Sequence, residues 1–205
     1  MTLATDLGKA LYAVLPRGCI LYFAPCDWEQ GIGGGARLSA MLKVLSDLHY
    51  HVYLGNYLPG DRYSSRVIHT LEMDHFRISI NRSAYRWLKA LAMLPVLLWG
   101  ISEVWHCEFV LAHAPSIASG FPALLTAKLF RKPLIIDHMD LKDPQTPQWM
   151  HNLILRQADK VFCISHWLVD EVTGLGNDRA VYVPNWVDCD LFKPSMPPLS
   201  GSRRG

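Results

Sequence analysis

Short apolar runs that alternate with longer stretches of helical period are the feature of this sequence that most restricts its fold. The runs are rich in residues that favour β-strands, and most are continuously apolar, which is typical of parallel strands covered on both faces. Seven runs are predicted as strands: residues 19–24, 51–55, 76–80, 109–112, 134–137, 161–164 and 181–183. Because parallel strands need crossover helices between them, the pattern predicts an α/β fold.

The stretches between the runs have the period of helices that pack on such a sheet. Leu38, Met41 and Leu45 share one face of a helix predicted between the first two strands. Residues 117–130 are predicted as a buried crossover helix, and Ser165 is suited to cap the start of another. With 205 residues the chain suits one domain. We predict a single Rossmann-like three-layer domain with a mostly parallel, doubly wound sheet over residues 1–194, and a disordered tail over residues 195–205.

Charge and cysteine content exclude several classes of protein. The 20 basic and 18 acidic residues leave a net charge of +2, so nucleic-acid binding is not predicted. The five cysteines are scattered without a C-x-x-C pair, which favours a reducing cytosol. No secretory signal is predicted, and the longest apolar run, residues 90–101, contains Pro95 and Gly100 and is too short to span a bilayer. We therefore expect a cytoplasmic protein.

The loop GIGGGAR, residues 31–37, is the clearest chemical feature of the chain. Gly33, Gly34 and Gly35 follow a predicted strand and precede a predicted helix, so their amides can approach a phosphate or a polar sugar group closely. A turn whose glycines only let helix and strand pack is the alternative. The loop lacks the lysine of a P-loop, and the next strand does not end in the acidic residue of a nicotinamide site.

Four segments, in one order, resemble glycosyltransferase family four, whose members are retaining enzymes of the GT-B fold. The first is the glycine loop and its helix running into LHYHVYL, in which His49 and Tyr50 stand where the family has glycine and histidine. The second is FVLAHAP, which contains His113, and the third is PLIIDHMDL. The fourth, ADKVFCISHWLVDEV followed by VYVPNWVDCDLFKP, is similar to the family's interdomain segment.

The resemblance implies that the chain is the acceptor-side, N-terminal half of such an enzyme. The family transfers a sugar from a nucleotide-sugar to a glycan or lipid-linked acceptor, and a second domain with a paired-glutamate motif binds the donor. Only residues 195–205 follow the matched segments here, so we expect no cofactor and no transfer without a separate donor-binding domain. A truncated product, half of a split enzyme and a non-catalytic sugar- or lipid-binding module all stay open.

The same resemblance assigns roles to individual residues. His113 would be the catalytic histidine that faces the transferred sugar, and Gly33, Gly34 and Gly35 would bind the donor phosphate or the acceptor. The predicted acceptor-binding residues are Arg37, Asp137, His138 and Asp140. A solvated helix face is the alternative for Arg37, and a helix cap is the alternative for Asp140. The order D-H-M-D matches no strong ligand spacing, so no metal site is predicted.

One further stretch favours contact with a membrane surface. Between Arg82 and Glu103, the basic residues Arg82, Arg86 and Lys89 precede a series of apolar and tryptophan residues. Such a helix can lie in a bilayer interface, although a core helix has the same apolar residues. We expect core packing with a rim that contacts the membrane peripherally.

Overall fold

The computed structural model describes residues 18–25, 34–60, 64–69, 73–81, 94–139 and 143–184. Its strands are β1 (Gly18–Ala24), β2 (Tyr50–Gly60), β3 (Ser64–His69), β4 (Met73–Asn81), β5 (Cys107–His113), β6 (Leu134–His138), β7 (Lys160–Cys163) and β8 (Ala180–Tyr182). Its helices are α1 (Gly34–Asp47), α2 (Leu94–Glu103), α3 (Gly120–Phe130), α4 (Gln148–Gln157) and α5 (His166–Gly174), and a 3-10 turn (Val104–His106) joins α2 to β5.

One sheet contains all eight of these strands, in the order β3-β4-β2-β1-β5-β6-β7-β8. Every neighbouring pair is parallel except β3 and β4, which are antiparallel. Helices cover both faces, so the predicted α/β fold with a mostly parallel, doubly wound sheet is confirmed. Each of the seven predicted strands corresponds to an observed one, although β2 and β4 are longer than predicted.

The sequence prediction missed β3, whose sequence SSRVIH begins with two serines and an arginine. Among the described strands, β3 lies at the edge of the sheet and pairs with β4 alone. An edge strand does not need the continuous apolar run of a central strand, and polar residues there discourage pairing with other chains. A search for apolar runs therefore could not find it.

The two faces of the sheet carry separate hydrophobic clusters. On one face α1 packs its buried Leu38, Met41 and Leu45 against β1 and its neighbours. On the other face, the cluster combines residues from the strands with residues of α2, α3, α4 and α5. The two clusters together bury both sides of β1 and β5, which explains why these strands are apolar at successive positions.

The helix predicted from Leu38, Met41 and Leu45 is confirmed as α1, and its end explains one departure from the family pattern. His49 has a φ of 62°, in the left-handed region, and its amide donates to the carbonyl of Ser46. Glycine is the residue that adopts this conformation most easily after a helix. The resembled family has glycine there, so the backbone turn is kept although the side chain differs.

The predicted cap of α5 is also observed, since Ser165 Oγ accepts a hydrogen bond from the amide of Leu168 at 3.3 Å. Helix α3 begins at Gly120 rather than at residue 117, because residues 116–119 form a turn. None of the helices in the described ranges is long and apolar enough to cross a membrane. The predicted tail and the basic residues Arg82, Arg86 and Lys89 lie outside the described residues.

Candidate functional site

The start of α1 lies beside the carboxyl ends of the parallel strands, the edge at which doubly wound folds bind ligands. Gly34 and Gly35 are the first two residues of α1, and Gly35 is buried. The first amides of a helix have no partner within the helix and carry the positive end of its dipole. Gly33 lies outside the described residues. The glycines therefore stand where an anion would be stabilised, and their role in binding stays a prediction.

A buried ion pair joins α1 to the end of β6. Arg37 Nη2 lies 2.6 Å from Asp137 Oδ1, and Arg37 Nε lies 2.9 Å from Asp137 Oδ2. The arrangement is bidentate, and Arg37 is 5% exposed while Asp137 is fully buried. Arg37 is therefore not on a solvated helix face, which was the alternative that the sequence left open. Arg37 orients Asp137 across 100 residues of sequence.

The protonation of Asp137 follows from these contacts. Burial acts to raise the pKa of its carboxyl, but hydrogen bonds from His113 and Arg37 and the positive charge of Arg37 outweigh it. The net pKa of Asp137 is below its ordinary value of 3.8. Asp137 is therefore an anion at neutral pH, held by a guanidinium that cannot lose its proton.

His113 completes this cluster from the end of β5. It pairs with Asp137 in the register of β5 and β6, so the two side chains share a face of the sheet. His113 Nδ1 lies 3.5 Å from Asp137 Oδ2 and 3.4 Å from the hydroxyl of Tyr22 on β1. We call Arg37, Asp137, His113 and Tyr22 the arginine corner. Three neighbouring strands and one helix contribute to it.

The backbone just after His113 is held in an uncommon conformation. Ala114 has a φ of 78°, which costs a residue with a Cβ of the order of 1–2 kcal/mol. The turn is held because the amide of Ala114 donates to the carbonyl of Asp137 at 2.9 Å, while Ser119 Oγ donates to the carbonyl of His113 at 2.6 Å. Strained backbone of this kind is concentrated at functional sites.

Close packing supports the same turn. A Cβ added to Gly120 would lie 2.9 Å from Cα of Pro115, so only glycine fits at the start of α3. The turn after β5 is thus fixed by side-chain hydrogen bonds and by a close backbone approach, and it holds His113 at the sheet edge.

Arg37 also reaches the last described residues of the chain. Its Nη1 donates to the carbonyl of Pro184 at 3.2 Å, and its Nη2 lies 3.4 Å from the carbonyl of Val183. These two residues follow β8 and belong to the resembled interdomain segment, in which Pro184 begins the PNWVD stretch. The start of α1 and the segment that leaves the sheet after β8 therefore lie against each other at the same edge of the sheet.

His138 is separated from the arginine corner although it follows Asp137 directly. Successive residues of a strand point to opposite faces, so His138 faces α4 and α5 instead of α1. Its Nε2 lies 3.2 Å from Glu171 Oε2, and His151 Nε2 lies 3.5 Å from Glu171 Oε1. Asp140 lies outside the described residues. The predicted acceptor roles of His138 and Asp140 stay predictions.

Sequence reasoning found Arg37, Asp137 and His113 but missed Tyr22, His151 and Glu171. Tyr22 sits inside a continuous apolar run, where its hydroxyl gives no signal. His151 and Glu171 are single polar residues on helical patterns, distant in sequence from His138. No local spacing connects any of the three with its partners.

Comparison with known proteins adds a family and a fold. The family model described as "Glycosyl transferase 4-like domain" matches residues 33–186. That range includes the start of α1, the segment that leaves β8, and Arg37, His113 and Asp137 of the arginine corner, whereas Tyr22 lies before it. No curated protein sequence matches the chain significantly.

Several solved structures are similar in fold. The glycosyltransferase from Rickettsia africae has 16% identity and a TM-score of 0.57, and 89% of this chain covers 47% of that one. Anabaena HepE in complex with UDP and glucose has 14% identity and a TM-score of 0.56, with 87% of this chain covering 47% of that one.

The catalytic domain of starch synthase IV from Arabidopsis thaliana, bound to ADP and acarbose, is similar as well. It has 11% identity and a TM-score of 0.55, with 88% of this chain covering 54% of that one. The chain therefore spans about half the length of these three structures. At these identities the likeness concerns the fold.

Proposed function

Because the chain belongs to the glycosyl transferase 4-like domain family, we propose that it supplies the acceptor-side half of a retaining glycosyltransferase. The reaction would move a sugar from a nucleotide-sugar donor to a glycan or a lipid-linked acceptor. The observation that carries the proposal is the position of Arg37. It holds Asp137 beside His113 and also contacts Pro184, so the predicted ligand-binding groups and the exit of the chain share one edge.

The arginine corner suits the positioning of a sugar between two domains. His113 would hydrogen-bond the transferred sugar, since an imidazole can donate from one nitrogen and accept at the other. The bond between the sugar's anomeric carbon and the diphosphate oxygen would break while a bond to the acceptor oxygen forms, and the proton of the acceptor hydroxyl would pass to the departing diphosphate. The negative charge that appears on the departing diphosphate would be stabilised by the amides at Gly34 and Gly35.

Asp137 has a different role in this proposal. Both of its oxygens are engaged by Arg37 and its pKa is held low, so it is a weak base for the acceptor hydroxyl. Asp137 and Arg37 would instead fix the orientation of His113 and the geometry of the opening. We assign no general base among the described residues.

Transfer in this proposal requires a donor-binding domain, in the same polypeptide or in a separate protein. HepE, which shares the fold, is about twice as long and its structure contains UDP and glucose. The experiment is to incubate the purified chain with UDP-glucose and GDP-mannose, alone and after co-expression with a paired-glutamate domain encoded beside it. The donor domain by itself is the control.

We expect transfer only when both halves are present. Transfer by the chain alone would overturn the requirement for a second domain. A chain that binds a glycan but never transfers, even when completed, would be the non-catalytic binding module that the sequence left open.

An exposed apolar surface supports contact with a membrane. Leu98 on α2 and Leu129 on α3 are 63% and 67% exposed, and Trp105 between these helices is 69% exposed. Trp105 also packs edge-on against Phe130, with ring centroids 4.7 Å apart, which links the 3-10 turn after α2 to α3. This surface would rest on the bilayer interface and bring a lipid-linked acceptor close, on the cytoplasmic side.

Liposome flotation tests this part of the proposal with a matched pair of variants. Trp105→Ser should reduce binding to vesicles of phosphatidylglycerol, whereas Trp149→Ser on α4 should not, although Trp149 is 64% exposed. Absence of vesicle binding by the unaltered chain would remove the membrane contact and leave the sugar-transfer proposal in place.

A further inference from the structure

Three potential metal ligands converge on the face of the sheet opposite the arginine corner. His138 ends β6, His151 lies in α4 and Glu171 lies in α5. The two histidines are buried, with 0% and 1% of their surfaces exposed. One nitrogen or oxygen from each residue lies within 4.8 Å of the others. The convergence is tertiary, since the three elements meet only in the folded chain.

The distances resemble those between ligands that share an ion. Glu171 lies 3.2 Å from His138 Nε2 through Oε2, and 3.5 Å from His151 Nε2 through Oε1. Tetrahedral Zn²⁺ with bonds of about 2.0–2.1 Å separates its ligands by about 3.3 Å. The two imidazoles are edge to face, with ring centroids 5.5 Å apart. The ligand atoms lie within 4.8 Å of one another, at most about 1.5 Å farther apart than in a tetrahedral site, and rotation about χ2 of the histidines can bring them closer.

We propose that His138, His151 and Glu171 bind Zn²⁺, with the fourth position open to water on the side where Glu171 reaches solvent. Two imidazoles and one carboxylate with an open position are a ligand set that zinc uses in proteins. The ion would tie the end of β6 to α4 and α5. The proposal does not depend on sugar transfer. Of its three ligands only His138 belongs to the D-H-M-D stretch, from which the sequence predicted no metal site, and the other two come from α4 and α5.

Access from solvent to the cluster agrees with this assignment. The side chain of Glu171 is 25% exposed, so an ion has a route from solvent.

Cys163 lies next to the cluster but is not proposed as a ligand. It pairs with His138 in the register of β6 and β7. Among the described residues, the ligand atoms that lie within 4.8 Å of one another belong to His138, His151 and Glu171, and the sulfur of Cys163 is not one of them.

The alternative is a metal-free cluster in which the carboxylate accepts hydrogen bonds from the two imidazoles. The two arrangements differ in what happens when zinc is supplied. The full chain is first freed of metal with a chelator and then titrated with Zn²⁺ in competition with a chromophoric chelator. We expect one Zn²⁺ per chain, and Co²⁺ in its place should give the intense visible absorption of a tetrahedral site.

The matched variants are Glu171→Gln and His166→Gln, both on α5. Glu171→Gln should weaken Zn²⁺ binding at least about 100-fold. Even the loss of a residue that only hydrogen-bonds a metal ligand lowers metal affinity by about 10–100-fold. His166 is exposed and outside the cluster, so its replacement should leave the affinity unchanged. Circular dichroism confirms that each variant is folded, and the partial exposure of Glu171 makes its replacement easier to tolerate than that of a buried histidine.

Two results would overturn the proposal. One is a folded, metal-free chain that takes up no stoichiometric Zn²⁺. The other is binding that is equally tight in the Glu171→Gln variant. A thiolate-to-cobalt absorption band that disappears in Cys163→Ser would overturn the open fourth position.

Discussion

Asp137 and His138 are neighbours at the end of β6, yet they belong to two chemically different regions. Asp137 faces α1, where Arg37 satisfies both carboxylate oxygens and no charge is left uncompensated. His138 faces α4 and α5, where His151 and one carboxylate lie within reach of the same point. The first region is held by a permanent ion pair, whereas the second changes its charge with protonation or with a bound cation. The alternation of a β-strand is enough to separate the two.

The largest expected change in the free energy of unfolding comes from breaking the ion pair between Arg37 and Asp137. Arg37→Leu leaves a buried carboxylate without its partner, which costs about 3–5 kcal/mol of the free energy of unfolding. The measurement is urea denaturation near neutral pH. The double variant Arg37→Leu/Asp137→Leu should recover most of the loss, because no buried charge remains.

A surface pair provides the control for that experiment. Arg179 and Asp159 form an ion pair at 3.2 Å in which the side chains are 60% and 46% exposed. Arg179→Leu should cost less than about 1 kcal/mol, as exposed pairs contribute little. Equal losses in Arg37→Leu and Arg179→Leu would show that the buried pair is not what holds α1 to β6.

In the region around His138, we expect the free energy of unfolding to depend on pH. Burial lowers the folded-state pKa of His138 below its ordinary value of 6.5, against the opposing effect of Glu171. The unfolded chain therefore binds the proton more readily, so this contribution is present above pH 6.5 and is lost as the pH falls below it. The measurement is the free energy of unfolding between pH 8 and pH 5 with a chelator present.

His138→Gln should flatten this pH dependence. The Asp137 side gives a separate window, since its lowered pKa withdraws stability only below its ordinary value of 3.8. If the free energy of unfolding changed with pH equally in His138→Gln and in the unaltered chain between pH 8 and pH 5, His138 would not be the source of this dependence.

Ser165→Ala should have a smaller effect. Ser165 Oγ caps the first turn of α5, and the loss of such a cap costs about 1 kcal/mol. Glu171 lies beyond this turn, so thermal unfolding should shift while Zn²⁺ affinity stays within about twofold. A large loss of zinc affinity would mean that removing the Ser165 cap disturbs α5 as far as Glu171.

The smallest predicted change has the opposite sign and lies away from both regions. His49 ends α1 with a φ of 62°, a conformation that costs a residue with a side chain about 1 kcal/mol more than glycine. His49→Gly should therefore raise the free energy of unfolding by up to about 1 kcal/mol. Destabilisation instead would indicate that the histidine side chain makes a contact worth more than the strain.

The sequence was informative wherever a local pattern carries the signal. Continuous apolar runs predicted the central strands, the spacing of Leu38, Met41 and Leu45 predicted α1, and Ser165 predicted the start of α5. The polar edge strand β3 escaped because burial does not impose a pattern on it. Local patterns thus predicted most of the sheet and the helices α1, α3 and α5.

The candidate site was predictable only in part. His113 and Asp137 end strands that the sequence identifies, and parallel strands bring their ends together. The ion pair with Arg37 could not be predicted, because it joins residues 100 positions apart and an arginine early in a helix is commonly solvated. The cluster of His138, His151 and Glu171 depends on how two helices pack on the sheet, which periodicity does not specify.

The most direct test of the account is the transfer rate of the completed enzyme in two variants, His113→Gln and His151→Gln. His113 lies on the α1 face of the sheet, whereas His151 lies in α4 on the opposite face and has no predicted role in binding the sugar or the acceptor. We predict that His113→Gln lowers kcat at least about 100-fold in a folded protein, as expected when a group that contacts the reacting sugar is lost. His151→Gln should leave kcat within about threefold. A loss confined to His151→Gln, or one equal in both variants, would contradict the assignment of sugar transfer to the arginine corner.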